Sequence, residues 1–316
     1  MKVCGMSKDW LVVGGSNMWV ESVPNFSEGR DTAWMVELRK RAESVPGVSV
    51  LGLEGDIDHN RSVMTLVGPG EKVLESVFQS IEWAVRSIDL RHHRGVHPRM
   101  GAADVVPFIP LGETPMQYAV ELARQLGERV ARTLNVPVYL YEDAATSEAR
   151  RNLAVVRRGE FEGLAARMAT DPPDFGQQWP HPTAGATAVG ARQPLIAFNV
   201  YLGTTDLPIA QRIARAVRGS SGGLVGVKAL AMNTLHKGQV QVSMNLVNYP
   251  TTTLPRALEM VRMEAKRFGV AVTHTELIGF LPMSAVVDSL RHYVQLEAFD
   301  ASRVLEMAMA PKLNDD

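Results

Sequence analysis

Gln239-Val240-Gln241-Val242-Ser243-Met244-Asn245-Leu246 alternates polar and apolar side chains through eight residues. Successive side chains of a strand point to opposite faces, so this stretch predicts a strand with one apolar and one polar face. Outward from it, β-rich runs and amphipathic runs give a strand over 195–202, a helix over 208–217, strands over 225–232 and 240–248, a helix over 254–268 and a strand over 270–276. The order is βαββαβ. The first half repeats it, with a strand over 19–23, a helix over 32–43, strands over 48–54 and 62–68, a helix over 71–88 and a strand over 102–109. Asp31 is placed to cap the first of these helices, and Pro46-Gly47 marks the turn after it. A helix over 115–134 and a strand over 136–141 extend the first unit, and a polar stretch rich in Pro and Gly follows over 171–190.

The expected fold is α+β, two ferredoxin-like βαββαβ two-layer subdomains with a cleft between them. Residues 1–17 are expected to form a flexible tail, 18–190 the first subdomain with its connecting segment, and 191–316 the second. A doubly wound parallel sheet is the rival. Strands that follow one another without an intervening helix, as on either side of Gly238, weigh against it.

The 33 basic and 34 acidic residues nearly cancel, so no global field draws the chain to nucleic acid or to an anionic membrane. Its single cysteine, Cys4, excludes an intrachain disulfide and a Cys-rich zinc site and suits a reducing cytoplasm. No apolar run approaches the roughly 18 to 20 residues of a membrane span, so neither membrane nor nucleic acid is an expected partner.

The densest group of reactive side chains is Arg91-His92-His93-Arg94-Gly95-Val96-His97-Pro98-Arg99-Met100-Gly101-Ala102-Ala103-Asp104, between a helix and a strand. Pro98 restricts His97 to an extended backbone and so aims its imidazole, a group suited to moving protons near neutrality. A solvated basic loop is the plain alternative. A metal site built on His93 and His97 would need a helix, which Gly95 and Pro98 oppose, and no HExxH pattern or cysteine ligand supports one, so no metal is expected. Gly219-Ser220-Ser221-Gly222-Gly223-Leu224-Val225-Gly226 reads either as backbone N–H groups near an anion or as a turn into a strand. Thr183-Ala184-Gly185-Ala186-Thr187-Ala188-Val189-Gly190 reads either as a surface for close approach of a planar ligand or as a linker.

Four ordered segments carry a family resemblance: Val20-Glu21-Ser22-Val23-Pro24-Asn25-Phe26-Ser27-Glu28-Gly29, His97-Pro98-Arg99-Met100-Gly101-Ala102, Val136-Pro137-Val138-Tyr139-Leu140-Tyr141, and Gly190-Ala191-Arg192 followed by Leu195-Ile196-Ala197-Phe198-Asn199. Over residues 20–306 the chain resembles the glutamate formimidoyltransferase family. The resemblance implies transfer of a formimino group from formiminoglutamate to tetrahydrofolate, a co-substrate bound between two subdomains, in histidine degradation. It implies a catalytic His97, with Glu54 at the position of an assisting acidic residue, and commonly a homodimer. Its folate-binding stretches fall on residues 176–185 and 222–231, which makes Gly176, Thr183, Gly185, Gly222, Gly223 and Lys228 the expected folate contacts. In animals the domain is fused to a cyclodeaminase, whereas this sequence ends at Asp316, so a separate cyclodeaminase is expected to act on the product.

Transfer requires N5 of tetrahydrofolate to lose a proton and the departing glutamate nitrogen to gain one. His97 is assigned both tasks, with Glu54 or Asp104 orienting or stabilising the imidazolium. Arg99 and Arg192 are candidate clamps for the carboxylates of the donor, because a guanidinium fork matches a carboxylate. Asn25 is a candidate hydrogen-bonding contact to substrate. The alternatives are a formyltransferase between 5-formyltetrahydrofolate and glutamate, which needs the same constellation, and a folate-binding protein without turnover.

Overall fold

A computed structural model describes residues 18–234 and 238–313, and the tail expected over 1–17 lies outside them. The described chain divides into two compact units, between Arg192 and Gln193. Asp31 starts the first helix as expected: its carboxylate accepts from the N–H groups of Ala33 and Trp34 at 2.9 and 3.0 Å, satisfying donors that the first turn leaves free.

The first unit runs β1 (Trp19–Ser22), β2 (Asn25–Phe26), α1 (Thr32–Glu43), β3 (Ser49–Asp56), β4 (Arg61–Pro69), α2 (Gly70–Ser87) and β5 (Ala103–Pro110). β1 and β2 are two pieces of one extended segment broken at Val23-Pro24, and both lie between β4 and β5, antiparallel to each. With β3 antiparallel on the far side of β4, this part of the unit is the expected βαββαβ. α3 (Met116–Leu134) and β6 (Val138–Glu142) extend it, followed by the short helices α4 (Leu153–Val156) and α5 (Glu160–Met168).

One expectation is overturned. Part of the Gly-rich stretch read as a linker or a ligand platform is β7 (Thr187–Ala191), a wholly buried strand lying parallel between β5 and β6. Buried on both faces, it has no polar alternation, and its small residues imitate a loop in sequence. Their size is required, because a Cβ on Gly190 would lie 2.5 Å from the Tyr141 ring.

The second unit runs β8 (Ile196–Leu202), α6 (Leu207–Val217), β9 (Val227–Thr234), β10 (Gln239–Leu246), α7 (Leu254–Lys266) and β11 (Val272–Ile278), followed by α8 (Met283–Val294) and α9 (Leu305–Leu313). Its sheet has the order β11-β8-β10-β9, antiparallel throughout. Val240, Val242, Met244 and Leu246 enter a core with Ile213, Val217 and Val261 from α6 and α7. On the opposite face Asn245 is exposed and Ser243 half-buried, but Gln241 is buried, and its Oε1 has no hydrogen-bond partner among the described residues. The chain is α+β, as its strand alternation predicts.

Candidate active site

The segment carrying His97 is sewn to the chain just before β7. Leu90 N–H donates to Thr183 O at 2.8 Å, Ala102 N–H to Ala184 O at 2.9 Å and Ala186 N–H to Met100 O at 3.0 Å. At this seam the two backbones are too close for side chains. A Cβ on Gly101 would lie 2.1 Å from Ala186 O, and one on Gly185 would lie 2.1 Å from Met100 O. Gly185 also has φ +69°, where a residue with a Cβ is strained.

A second seam joins the segment to the β3–β4 turn. Asn60, at φ 47°, donates from Nδ2 to Arg94 O and accepts at Oδ1 from Gly29 N–H. His93 is fixed here too. Its Nδ1 accepts from Arg99 Nε at 3.2 Å, so its Nε2 carries the proton and donates to Asn60 O at 2.8 Å. Burial, the largest cause, lowers its pKa. Both ring nitrogens are thus occupied by protein groups, and His93 serves as a structural tie.

His97 sits between the seams, half-buried. The Pro98 carbonyl has only lone pairs, so His97 Nδ1 donates to it at 2.7 Å, leaving the lone pair on Nε2. Arg61 Nη1, a donor only, faces that lone pair at 2.9 Å and also donates to Asn25 Oδ1 at 3.1 Å. Burial first, then the charges of Arg61 and Arg157, push the His97 pKa down to about 2. Burial likewise brings Arg61 down to about 10. His97 is therefore a neutral imidazole in cationic surroundings, with its proton on Nδ1. His59 packs edge-on against it with ring centroids 5.6 Å apart, and Asp56 holds His59 Nδ1 at 3.1 Å.

Where Glu54 or Asp104 is expected from sequence to orient the ring, the group on His97 Nδ1 in this structure is the Pro98 carbonyl. Glu54 is exposed on β3, and its carboxylate makes no hydrogen bond or ion pair among the described residues. Asp104 is 1% exposed and accepts from Met100 N–H at 2.8 Å through Oδ1, while Oδ2 takes Arg157. It braces the loop and holds Arg157, one of the cations that keep His97 neutral.

Arg99, expected as a substrate clamp, is engaged in this structure by protein carboxylates: its fork meets Glu162 at 2.8 and 2.7 Å and Glu160 at 3.3 Å. Arg192 lies beside Glu21 and Tyr141, where its charge opposes the rise that burial gives both groups. Asn25 does reach the site, through Arg61. Among the expected folate contacts, Thr183 and Gly185 lie on the seam beside the His97 segment, and Gly176 turns at φ +92° against Pro137. Gly222, Gly223 and Lys228 belong to the second unit, the glycines in the turn after α6 and Lys228 on β9 opposite Asn245. Arg61, Arg157 and His59 are the site residues that sequence reading misses.

Residues 19–192 match the family described as the formiminotransferase domain, N-terminal subdomain, and residues 197–308 match the formiminotransferase domain. The chain belongs to the formiminotransferase family. The resemblance drawn from its motifs holds across both units. A glutamate formimidoyltransferase of Streptococcus pyogenes serotype M1 is 46% identical over 283 residues, covering 89% of this chain and 95% of that protein. One from Thermoplasma acidophilum is 44% identical over 299 residues, covering 93% and 98%. The formimidoyltransferase-cyclodeaminase of Rattus norvegicus is 38% identical over 88% of this formiminotransferase chain and 53% of its own length.

Proposed function

We propose that this chain transfers the formimino group of N-formimino-L-glutamate to tetrahydrofolate, giving 5-formiminotetrahydrofolate and glutamate. The observation that carries the reading is a neutral His97 imidazole with its proton on Nδ1 and its lone-pair nitrogen turned toward cationic side chains. N5 of the folate attacks the formimino carbon, and the tetrahedral adduct then carries an acidic ammonium that a weak base can deprotonate. His97 Nε2 takes that proton and returns it to the glutamate nitrogen as the old C–N bond breaks, so one group serves both steps and the proton count closes. Two relatives named for this activity align over nearly their whole length, which supports the donor and acceptor. The rat relative's name joins the transferase to a cyclodeaminase, which supports such an activity as the consumer of the product.

The test offers tetrahydrofolate with formiminoglutamate, formylglutamate and formiminoglycine in parallel. Formiminoglutamate should be turned over at least about tenfold more efficiently than formiminoglycine, which lacks the side-chain carboxylate, the scale set by one lost charged contact. It should also be turned over more efficiently than formylglutamate, which keeps both carboxylates but presents O in place of NH. Equal use of formylglutamate would replace this reading with a formyltransferase.

A further inference from the structure

We infer that Arg61 gates His97: it caps the imidazole's lone pair in the free protein and leaves it for a carboxylate of the donor, so that only a carboxylate-bearing substrate exposes the base. The inference deepens the proposed function and rests on it for the donor's identity. In the structure the cap is direct, with Arg61 Nη1 2.9 Å from His97 Nε2. While a guanidinium N–H occupies that lone pair, Nε2 cannot accept a proton from an amine.

Among the described residues Arg61 is also a cation with no carboxylate in ion-pair contact. Among these residues its side chain makes two hydrogen bonds, both from Nη1 to neutral groups, and its buried Nε has no partner there. The nearby carboxylates are committed elsewhere, Asp104 to Arg157 and the Met100 N–H, and Asp56 to His59. Arg157 likewise keeps a buried Nε without a partner among the described residues. A donor carboxylate offers the Arg61 fork a charge-assisted, two-point contact in place of a bond to a neutral imidazole.

That exchange changes His97 in two ways. Its lone pair becomes free, and the nearest positive charge facing it is neutralised. The other charged or titratable groups around it are Arg157 from the end of α4, with Asp104 of β5 behind it, and His59 from the β3–β4 turn with its Asp56. None of these changes partner, so proton affinity at His97 rises when Arg61 is drawn away. Binding the correct donor therefore creates the base that the reaction needs.

The test reads His97 directly, by NMR titration of histidine-labelled full-length protein with assignment through His97→Gln. In the free wild type His97 should remain neutral down to the acid limit of the folded protein. Saturating L-glutamate, used as the carboxylate probe, should raise its pKa by about one unit or more, and Arg61→Ala should raise it without any ligand. In turnover, Arg61→Ala should raise KM for formiminoglutamate about tenfold or more with little change in KM for tetrahydrofolate, and should erase the preference over formiminoglycinamide. Arg61→Lys keeps the charge but loses the fork, so it should hold His97 neutral while losing the donor preference. This guards against misreading a folding defect. A His97 that titrates near its ordinary value in the free wild type, or one indifferent to both glutamate and Arg61→Ala, would overturn the inference. The titration does not depend on turnover, so protein that shows the coupling but transfers no formimino group would refute the proposed function and leave the gate standing.

Discussion

Gly185→Ala tests whether the His97 segment is held by the seam at Gly101 and Gly185. A Cβ at Gly185 would lie 2.1 Å from Met100 O, and contacts below 3.0 Å essentially do not occur, so the carbonyl must retreat by about 0.9 Å. The retreat sacrifices the 3.0 Å bond from Ala186 N–H to Met100 O and strains the paired 2.9 Å bonds between His181 and Gly185. At about 1 kcal/mol per bond, plus about 1 kcal/mol for an alanine in the left-handed region, the cost is roughly 3 to 4 kcal/mol. For a unit of this size that lowers Tm by roughly 6 to 15 °C. Gly222→Ala is the control: its φ is +88° but no atom lies within 4 Å of the added Cβ, so only the backbone cost of about 1 kcal/mol applies. Thermal unfolding of the two variants beside wild type is the assay. Equal losses, or a Gly185→Ala Tm within about 2 °C of wild type, would refute the close-approach argument.

Further predictions concern charge. Asp104→Asn should destabilise the first unit by about 3 to 5 kcal/mol, because it leaves Arg157 in low-dielectric surroundings without its carboxylate; a chemical-denaturation midpoint indistinguishable from wild type would contradict this. His93, His97 and His181 all have pKa values lowered in the folded state, chiefly by burial. Below about pH 6.5 the unfolded chain therefore binds more protons at these positions than the folded one. Their contribution is whole above that pH and is lost as pH falls toward the folded values, so Tm should decline between pH 6.5 and 5, before the carboxylates titrate. A Tm flat across that interval would count against neutral burial. Gly163→Ala, in α5 with nothing within 4 Å of the new Cβ and no left-handed φ, should stabilise by about 0.5 to 1 kcal/mol, and a lower Tm would show that α5 is misplaced.

What the sequence discloses follows the physics of each element. β10 is legible because alternation survives in a sheet with one wet face. β7 is not, because a parallel strand buried on both faces alternates nothing and its Thr187-Ala188-Val189-Gly190-Ala191 run has the composition of a loop. α4 and α5 are too short to show a helical period, and with them Arg157 goes unseen. His97 is legible because Pro98 announces a fixed backbone beside an imidazole. Its partner Arg61 stands 36 residues away at the start of β4, and Arg157 reaches Asp104 across 53 residues. No local pattern encodes those distances. The same reason explains why the carboxylates expected to orient His97 are not found on its ring: Glu54 shares a strand with Asp56, which is held to His59, yet it faces solvent, and Asp104 is taken by Arg157.

The central claim is that a neutral His97 moves the proton during formimino transfer. The most direct measurement is single-turnover formation of 5-formiminotetrahydrofolate from enzyme-bound tetrahydrofolate and formiminoglutamate, comparing wild type with a His97→Ala protein shown to be folded by its Tm. The rate should fall by about a hundredfold or more while tetrahydrofolate binding is unchanged, as for loss of a general acid–base group. A folded His97→Ala protein that transfers the group within about threefold of the wild-type rate would contradict the claim.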